Sequence, residues 1–467
     1  MDISASTDVY FNLEAKAMEL GYDLNSKQLR ALYVIIEEKK NIFITGAAGK
    51  ICIFYYITTF IMITHIFIVI GTGKSYLLKC VIKFLEERYD QKDFFVTAST
   101  GMAGYQFEGG QTLHGYAGIG LGEGDVDSLF GSIKATTKDR WMNTKVLIID
   151  EISMIHKDLF EKLNSLAQKI RQNNEPWGGI QLILVGDFYQ LPPVDKRKRK
   201  SDSIYVFQAP SWQYSVHECI LLDEIFRQKN DTFVNLLNRI RTGDLTNDDI
   251  TMIRSLERNL DLPKGIQPVN LFTMRTLVDS YNDNKLREIS DALHTHNADD
   301  FFVINRYRDE LNRACTFPDV LKLKKGAQVM LLKNMPMIGL ANGDIGIVVD
   351  FPVSCGGYPK VRFSKGGEFV ISPEIWEIKD KKSGAILASR TQIPLVLSWA
   401  ITIHKIQGAT VEFACVDSSG TFEPGQLYVG LSRVRDIDGL QVVNFQPRHC
   451  IVSPVVKGFY TELQSRK

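Results

Sequence analysis

The seven cysteines of this 467-residue chain include no C-x-x-C pair. That leaves no zinc-ribbon or disulfide framework and fits a reducing compartment. Charge of one sign is equally scarce: 55 basic against 54 acidic residues give a net +1. Without a global pull toward nucleic acid or membrane, any nucleic-acid surface has to be a local groove, because exposed charges are screened within about 10 Å. There is no internal repeat and no low-complexity tract. The opening residues, Met1-Asp-Ile-Ser-Ala-Ser-Thr-Asp8, lack the basic start and apolar core of a signal peptide. With 45% hydrophobic and 23% charged residues, the composition is that of an ordinary soluble globular protein. The length suffices for two or three domains with real cores.

One long apolar run is present, from Ile51 to Ile70, and it too is defined by what it lacks. It holds eight isoleucines, five aromatics and three threonines, but no leucine, alanine or glycine. Length alone would pass it as a membrane-spanning helix. No basic anchor or aromatic belt flanks it, however, and it interrupts a phosphate-binding loop, so no membrane association is expected. The strand-like Asn41-Ile-Phe-Ile-Thr45 leads into Gly46-Ala-Ala-Gly49, and Gly71-Thr-Gly-Lys-Ser75 follows the run. Without residues 50–71 the chain reads GAAGTGKS, a complete G-x-x-x-x-G-K-S between a strand and a helix. Residues of this kind are encoded by A- and T-rich codons. Gly49-Lys50 can be spelled with a donor-like GTAAG, and Ile70-Gly71 with an acceptor AG, both junctions following the first base of a glycine codon. The favoured reading is therefore a translated intron; a genuine loop insertion and a membrane anchor are the alternatives.

The restored loop binds a nucleoside triphosphate, because its backbone N–H groups wrap phosphates at a helix N-terminus. Gly46, Ala47, Ala48, Gly49, Thr72, Gly73, Lys74 and Ser75 form it. Lys74 reaches the β- and γ-phosphates, and the Ser75 hydroxyl ligates Mg²⁺. Downstream, Asp150-Glu151 follows the apolar run VLII: Asp150 would hold Mg²⁺ and Glu151 would orient or deprotonate the attacking water. A third block, Gly178 to Val194, ends a strand in Gly186-Asp187 and carries Gln190 before a stiff Leu-Pro-Pro turn. That amide suits a γ-phosphate or attacking water.

Short β-branched runs at 94–98, 146–149 and 182–185 alternate with amphipathic stretches at 76–89 and 157–171, which predicts a doubly wound α/β domain. In the second half, 236–241 and 277–289 read as helices. Runs at 329–332, 345–349, 360–363 and 368–371 read as short antiparallel strands. They predict a small barrel inserted in a second α/β domain, whose later strands lie near 392–397 and 440–445. The basic run Lys196-Arg-Lys-Arg-Lys200 is of the nuclear-localisation or phosphate-patch type, or a solvated loop face.

Taken together, these blocks resemble the petite integration frequency (PIF) family of superfamily 1B DNA helicases, over about Leu24 to Tyr460 with residues 50–71 outside the pattern. The segment from Asp158 to Gly179, with Ile170-Arg171 and Pro176-Trp-Gly-Gly179, is similar to the signature that marks the family, with Trp177 where phenylalanine is expected. Gln28 resembles the glutamine that reads the adenine edge. Thr97, Ser99, Thr100 and Gly101 resemble the motif gripping single-stranded DNA, and His114 lies in the segment near the strand-separating wedge. Arg227 in Phe226-Arg-Gln228 and Arg433 in Tyr428-Val-Gly-Leu-Ser-Arg433 resemble two arginines that reach the γ-phosphate; Gly430 stands where alanine is usual. His404, Lys405, Gln407, Gly408 and Thr410 resemble the motif coupling nucleotide state to DNA grip. Gly326 to Met330 and Asn342-Gly343 match the start of the inserted barrel. A surface ion pair for Arg227 and a core role for His114 stay open.

The resemblance implies an α/β fold of two RecA-like P-loop NTPase domains with an inserted SH3-like β-barrel. The expected divisions are an N-terminal lead over 1–23, the first domain over 24–218, the second over 219–322 and 391–467, and the barrel over 323–390. It also implies ATP and Mg²⁺ as cofactors, single-stranded and forked duplex DNA as partners, and a monomer that translocates 5′ to 3′. Replication, repair, recombination and telomere maintenance in the nucleus or mitochondrion would be its setting. A catalytically inactive single-strand-binding relative, should the insert be real, and a RecD-like motor subunit are the alternatives.

Overall fold

The computed structural model describes residues 3–465 with the exception of 48–50, 55–66, 71–72, 105–106, 108, 121, 195–203, 223–230, 264, 316, 334, 341, 365, 380–384 and 409. The chain divides into two compact units, Met1–Asn238 with Val452–Lys467, and Arg239–Ile451.

The first unit is built on one parallel six-stranded sheet. Its order is Gln111–Thr112, Phe94–Ala98, Val146–Asp150, Gln181–Val185, Ile42–Gly46, Glu218–Leu222. The inner runs are mostly apolar because both faces of the sheet are covered. Strand alternation then sorts them into two cores. Ile42, Ile44, Ile148 and Ile183 pack with Leu77 and Val81 of helix Lys74–Arg88. Phe43, Leu147, Ile149 and Leu182 face the other way, onto Trp141, Phe160, Trp177 and Trp212. Helix Lys157–Arg171 joins the second core through Phe160, Leu163, Leu166, Ala167 and Ile170, spaced three and four apart along one stripe. Because all strands run the same way, the chain leaves each of them toward the same edge of the sheet.

The second unit has its own parallel sheet, ordered Ala400–Thr402, Val269–Phe272, Ala414–Asp417, Leu440–Val443. A five-stranded antiparallel sheet runs Glu368–Val370, Lys360–Phe363, Ile345–Asp350, Gln328–Leu331, Leu395–Leu397. A further antiparallel group joins Asp299–Phe302, Ile386–Gln392 and Glu374–Lys379.

Three sequence-based expectations shift. The run at 392–397 is no part of the parallel sheet: Leu395–Leu397 pairs antiparallel with Gln328–Leu331, and Ala400–Thr402 supplies the parallel strand instead. An apolar triplet fits either environment, so its partner was not encoded locally. The break expected after residue 218 falls early, since Glu218–Leu222 completes the first sheet beside Ile42–Gly46. The last segment also belongs to the first unit, where Val456 and Tyr460 of helix Pro454–Ser465 are buried in its core.

In the interrupting run, Ile51–Phe54 and Phe67–Ile70 pair antiparallel, with Ile51 opposite Ile70. No helix among the described residues is long and apolar enough to cross a membrane. Cys80, Cys219, Cys315, Cys355, Cys415 and Cys450 take part in no disulfide among the described residues.

Candidate nucleotide site

Gly73 opens helix Lys74–Arg88 as its N-cap with φ 76°, ψ −5°, a left-handed conformation open to glycine at little cost. The turn it makes sends Lys74 back toward the preceding strand. There the Lys74 ammonium donates to the Gly46 carbonyl oxygen at 2.6 Å. Thus the lysine of the loop's second half sits on the first half, although 27 residues of sequence lie between Gly46 and Lys74. Ser75, the next residue of the helix, is partly exposed. Ala48, Gly49 and Thr72 lie outside the described residues, and Ala47 directly follows the strand.

Asp150 ends the central strand and is 8% exposed. Burial pushes its carboxyl up to about 7, Glu151 adds to the rise, and the Glu151 N–H and Lys74 pull against it. That N–H donates to Asp150 Oδ1 at 2.8 Å. Glu151 itself stands at φ 51°, ψ 44°, a left-handed conformation for a residue with a side chain, which costs on the order of 1 kcal/mol. The strained turn lets two successive carboxylates differ in setting, Asp150 buried and Glu151 half-exposed.

Gln190 is 3% exposed, and its Oε1 has no hydrogen-bond partner among the described residues. The same holds for Ser99 Oγ and Ser153 Oγ. These three groups follow the ends of the strands Phe94–Ala98, Val146–Asp150 and Gln181–Val185, which are consecutive in the sheet. Backbone bonds tie the ends together: Ser99 N–H donates to Asp150 O at 3.2 Å, and Gly186 N–H to Ile44 O at 3.1 Å. Buried polar groups are ordinarily paired, so a row of unpaired ones at a sheet edge marks a place where a polar ligand belongs.

The donor set at this edge fits a hard cation. Ser75 hydroxyl and the free oxygen of Asp150 are oxygen ligands of the kind Mg²⁺ takes. No group of three acidic, histidine or cysteine side chains among the described residues could hold a metal alone. Such a site leaves Mg²⁺ to be completed by phosphate and water, its usual mode.

Gln28 is fully buried beside the loop. Its Oε1 accepts from Asn25 N–H at 3.1 Å, and its Nε2 lies 3.5 Å from Gly73 O. The amide therefore caps helix Ser26–Ile36 and braces the phosphate loop; turning to an adenine edge would surrender both bonds. Thr97 needs a correction as a DNA-gripping side chain. It is wholly buried within its strand, and its hydroxyl donates to Ile148 O at 2.7 Å. Thr100 Oγ1 accepts from Ala103 N–H at 3.2 Å, capping the short helix Gly101–Gly104. His114 lies half-buried in helix Leu113–Ala117.

In the second unit, His404 and Lys405 occupy helix Ile403–Ile406, capped by Thr402 Oγ1 accepting from Lys405 N–H at 3.2 Å. Burial lowers the His404 imidazole, with Glu423 at 3.8 Å opposing. Gln407 is buried and Gly408 half-buried. Thr410 is fixed from outside the motif: a Cβ on Gly343, at φ 96°, would stand 2.3 Å from the Thr410 carbonyl oxygen. Only glycine lets the Asn342-Gly343 turn lie this close. Ser364 Oγ donating to Glu412 Oε2 at 2.6 Å adds a second tie between the antiparallel sheet and this segment. Arg433 is buried, its Nε donating to Val429 O at 3.1 Å and its Nη2 to Ser432 Oγ at 2.9 Å. Arg227 lies outside the described residues.

One residue went unnoticed in the sequence. Tyr460, from the C-terminal helix, places its hydroxyl 2.6 Å from Thr45 Oγ1 and within hydrogen-bond reach of Asp187 and Phe188. It carries no motif, and 272 positions separate it from Phe188.

The profile of the PIF1-like helicase family matches residues 63–251, and that of the DNA helicase Pif1 2B domain matches residues 306–351. The chain is 37% identical to the ATP-dependent DNA helicase PIF1 of Emericella nidulans over 491 residues, covering 93% of this chain and 62% of that protein. It thus spans about three-fifths of that relative's length. The crystal structure of Pif1 helicase from Candida albicans aligns with a TM-score of 0.74 at 37% identity, over 95% of this chain and 100% of that one. Bacteroides Pif1 in complex with ADP-AlF3 and ssDNA aligns with a TM-score of 0.64 at 28% identity, over 95% and 98% of the two chains. With its phosphate loop, strand-end carboxylates and unpaired glutamine on that shared frame, the chain belongs to the PIF1-like helicase family.

Proposed function

We propose that this chain is an ATP-dependent DNA helicase that moves 5′ to 3′ along single-stranded DNA. The observation that carries the reading is the sheet edge on which Lys74, Asp150 and the unpaired Gln190 Oε1 follow parallel strands of one sheet. Lys74 offers charge to the β- and γ-phosphates, Glu151 orients or deprotonates water, and Gln190 hydrogen-bonds the γ-phosphate or that water. Mg²⁺, when bound through Ser75 and Asp150, supplies charge neutralisation. ATP use and single-strand binding are further supported by the Bacteroides relative, whose complex holds ADP-AlF3 and ssDNA. Strand contacts would rest on backbone and stacking, so binding should be sequence-tolerant and weaken with salt. Forked duplex as substrate, a monomeric state, a nuclear or mitochondrial location and roles in repair, recombination and telomere maintenance follow from the family resemblance.

Residues 50–71 are proposed to be a translated intron, on the strength of their composition and the in-frame GAAGTGKS that their removal restores. The test is DNA-stimulated ATP hydrolysis by the full chain and by a chain lacking residues 50–71. Hydrolysis by the shortened chain, abolished by Lys74→Ala, is expected. Absence of hydrolysis from both chains would sink the helicase reading, and equal activity in both would sink the intron reading alone.

A further inference from the structure

We infer that Tyr460, on the C-terminal helix Pro454–Ser465, is a positioning residue that holds the Gln190 loop against the phosphate loop for ATP turnover. This rests on the reading of the chain as an ATPase.

Three hydrogen-bond contacts of the Tyr460 hydroxyl define its place. Asp187 Oδ1, 3.2 Å away, is a carboxylate oxygen and can only accept, so the phenol proton goes there. The two lone pairs then receive Phe188 N–H at 3.1 Å and the Thr45 hydroxyl at 2.6 Å. Every member of the group is buried: Thr45 and Asp187 are 0% exposed and Tyr460 3%. In such a setting each bond is costly to leave unmade.

The partners stand at two functional strand ends. Thr45 immediately precedes Gly46, whose carbonyl receives the Lys74 ammonium. Asp187 and Phe188 begin the turn that carries Gln190, and Gln190 N–H donates back to Asp187 O at 2.9 Å. Asp187 Oδ1 also accepts from Tyr189 N–H at 3.2 Å. The Tyr460 ring stacks on the Tyr189 ring at 4.7 Å with an interplanar angle of 11°. One side chain thus fixes the turn by its face and its hydroxyl together, one residue short of Gln190 on one side and one residue short of the phosphate loop on the other. Since Gln190 Oε1 has no described protein partner, its aim depends on how this turn is held. Misplacing a group that acts on the reacting phosphate slows turnover more than it weakens substrate binding.

The test is steady-state ATP hydrolysis with single-stranded DNA present, in whichever of the full and shortened chains is active. Tyr460→Phe keeps the stacked ring and removes the hydroxyl. It should lower kcat about tenfold with KM changed less than about twofold. Made in a Gln190→Ala background, it should lower kcat by less than about twofold further, because both changes act through the same amide. A kcat within about twofold of the parent, or two defects that multiply, would overturn the inference and leave Tyr460 a packing residue. Should Tyr460→Phe not fold, the near-isosteric Thr45→Val removes a single bond of the group. Its kcat should fall about threefold, and that fall should vanish with Gln190→Ala; no fall, or a persistent one, overturns the inference. If neither parent chain hydrolyses ATP, the ATPase reading fails and this inference falls with it; an active parent with unaffected variants removes only the role of Tyr460.

Discussion

Asp150 and Asp417 occupy the same place in the two parallel sheets, each the last residue of a strand, and they hold their protons in opposite ways. Asp150 is buried with a single backbone N–H, and burial raises it to about 7. At Asp417 burial also pushes up, but the Ser419 hydroxyl and N–H and the Asn444 amide, all on Oδ1, outweigh it and hold the carboxyl below its ordinary value. The neighbours follow suit. Near Asp150 lie the Ser99, Ser153 and Gln190 oxygens, unpaired among the described residues, whereas Ser418 Oγ donates to Asn444 O at 2.9 Å and meets His449 Nδ1 at 2.9 Å. At Asp417 and Ser418 the strand end is satisfied by its own chain; at Asp150 it is left polar and incomplete, which is how a ligand site differs from a merely similar piece of architecture.

The largest effect that would break this comparison is on chemistry. Lys74→Ala removes the charge at the incomplete edge and should lower ATP hydrolysis by at least about 10²-fold; a rate within a few-fold of the parent would deny that edge its role. Next comes the pH dependence of stability. Asp150 binds its proton more tightly folded than unfolded, so its contribution is fully present below about pH 4 and is lost as pH rises through about 7. A carboxyl raised from 3.8 to about 7 carries a ceiling of about 4 kcal/mol, less what Glu151 shares. Asp150→Asn, while abolishing turnover, should therefore stabilise the fold by about 2 kcal/mol at pH 8 and by almost nothing at pH 4, read from denaturant unfolding. Asp417→Asn should do the reverse. Its parent carboxyl is depressed, so its stabilisation is present above about pH 4 and lost as the pH falls through its folded value, and the substitution should cost about 1 kcal/mol at pH 7. Equal signs for the two variants at pH 8 would erase the contrast. The smallest effect is Gly430→Ala: a Cβ there would meet Val416 at 3.4 Å, ordinary contact, inside helix Gln426–Leu431. It should raise stability by about 0.5–1 kcal/mol, seen as a higher Tm, because alanine outranks glycine in a helix.

Much of the first unit was legible because its signals are local. Phe94–Ala98 and Lys157–Arg171 fall where β-branching and the three-four spacing put them. Lys74, Asp150 and Gln190 could be singled out from the sequence because each lies at or after the end of an apolar strand-like run. Thr97 misled for a physical reason: the motif suggested a surface, while strand alternation turned the side chain inward to Ile148 O. The sheet joined by Leu395–Leu397 and the whole of the Tyr460 arrangement were illegible, because pairing between segments far apart in the chain leaves no periodicity in either partner.

The pairing of Ile51 with Ile70 has a consequence for how this gene can vary. Antiparallel partners lie about 4.5–5.5 Å apart, so whatever is spliced between them enters and leaves at nearly one point. Closing such a loop costs only about 0.6 kcal/mol more for each doubling of its length. Transcripts that trim or lengthen the stretch between the two paired strands by whole codons would then yield chains of nearly equal foldability, whereas excision of residues 50–71 takes the pair with it, and selection would discriminate among them through catalysis at the phosphate loop.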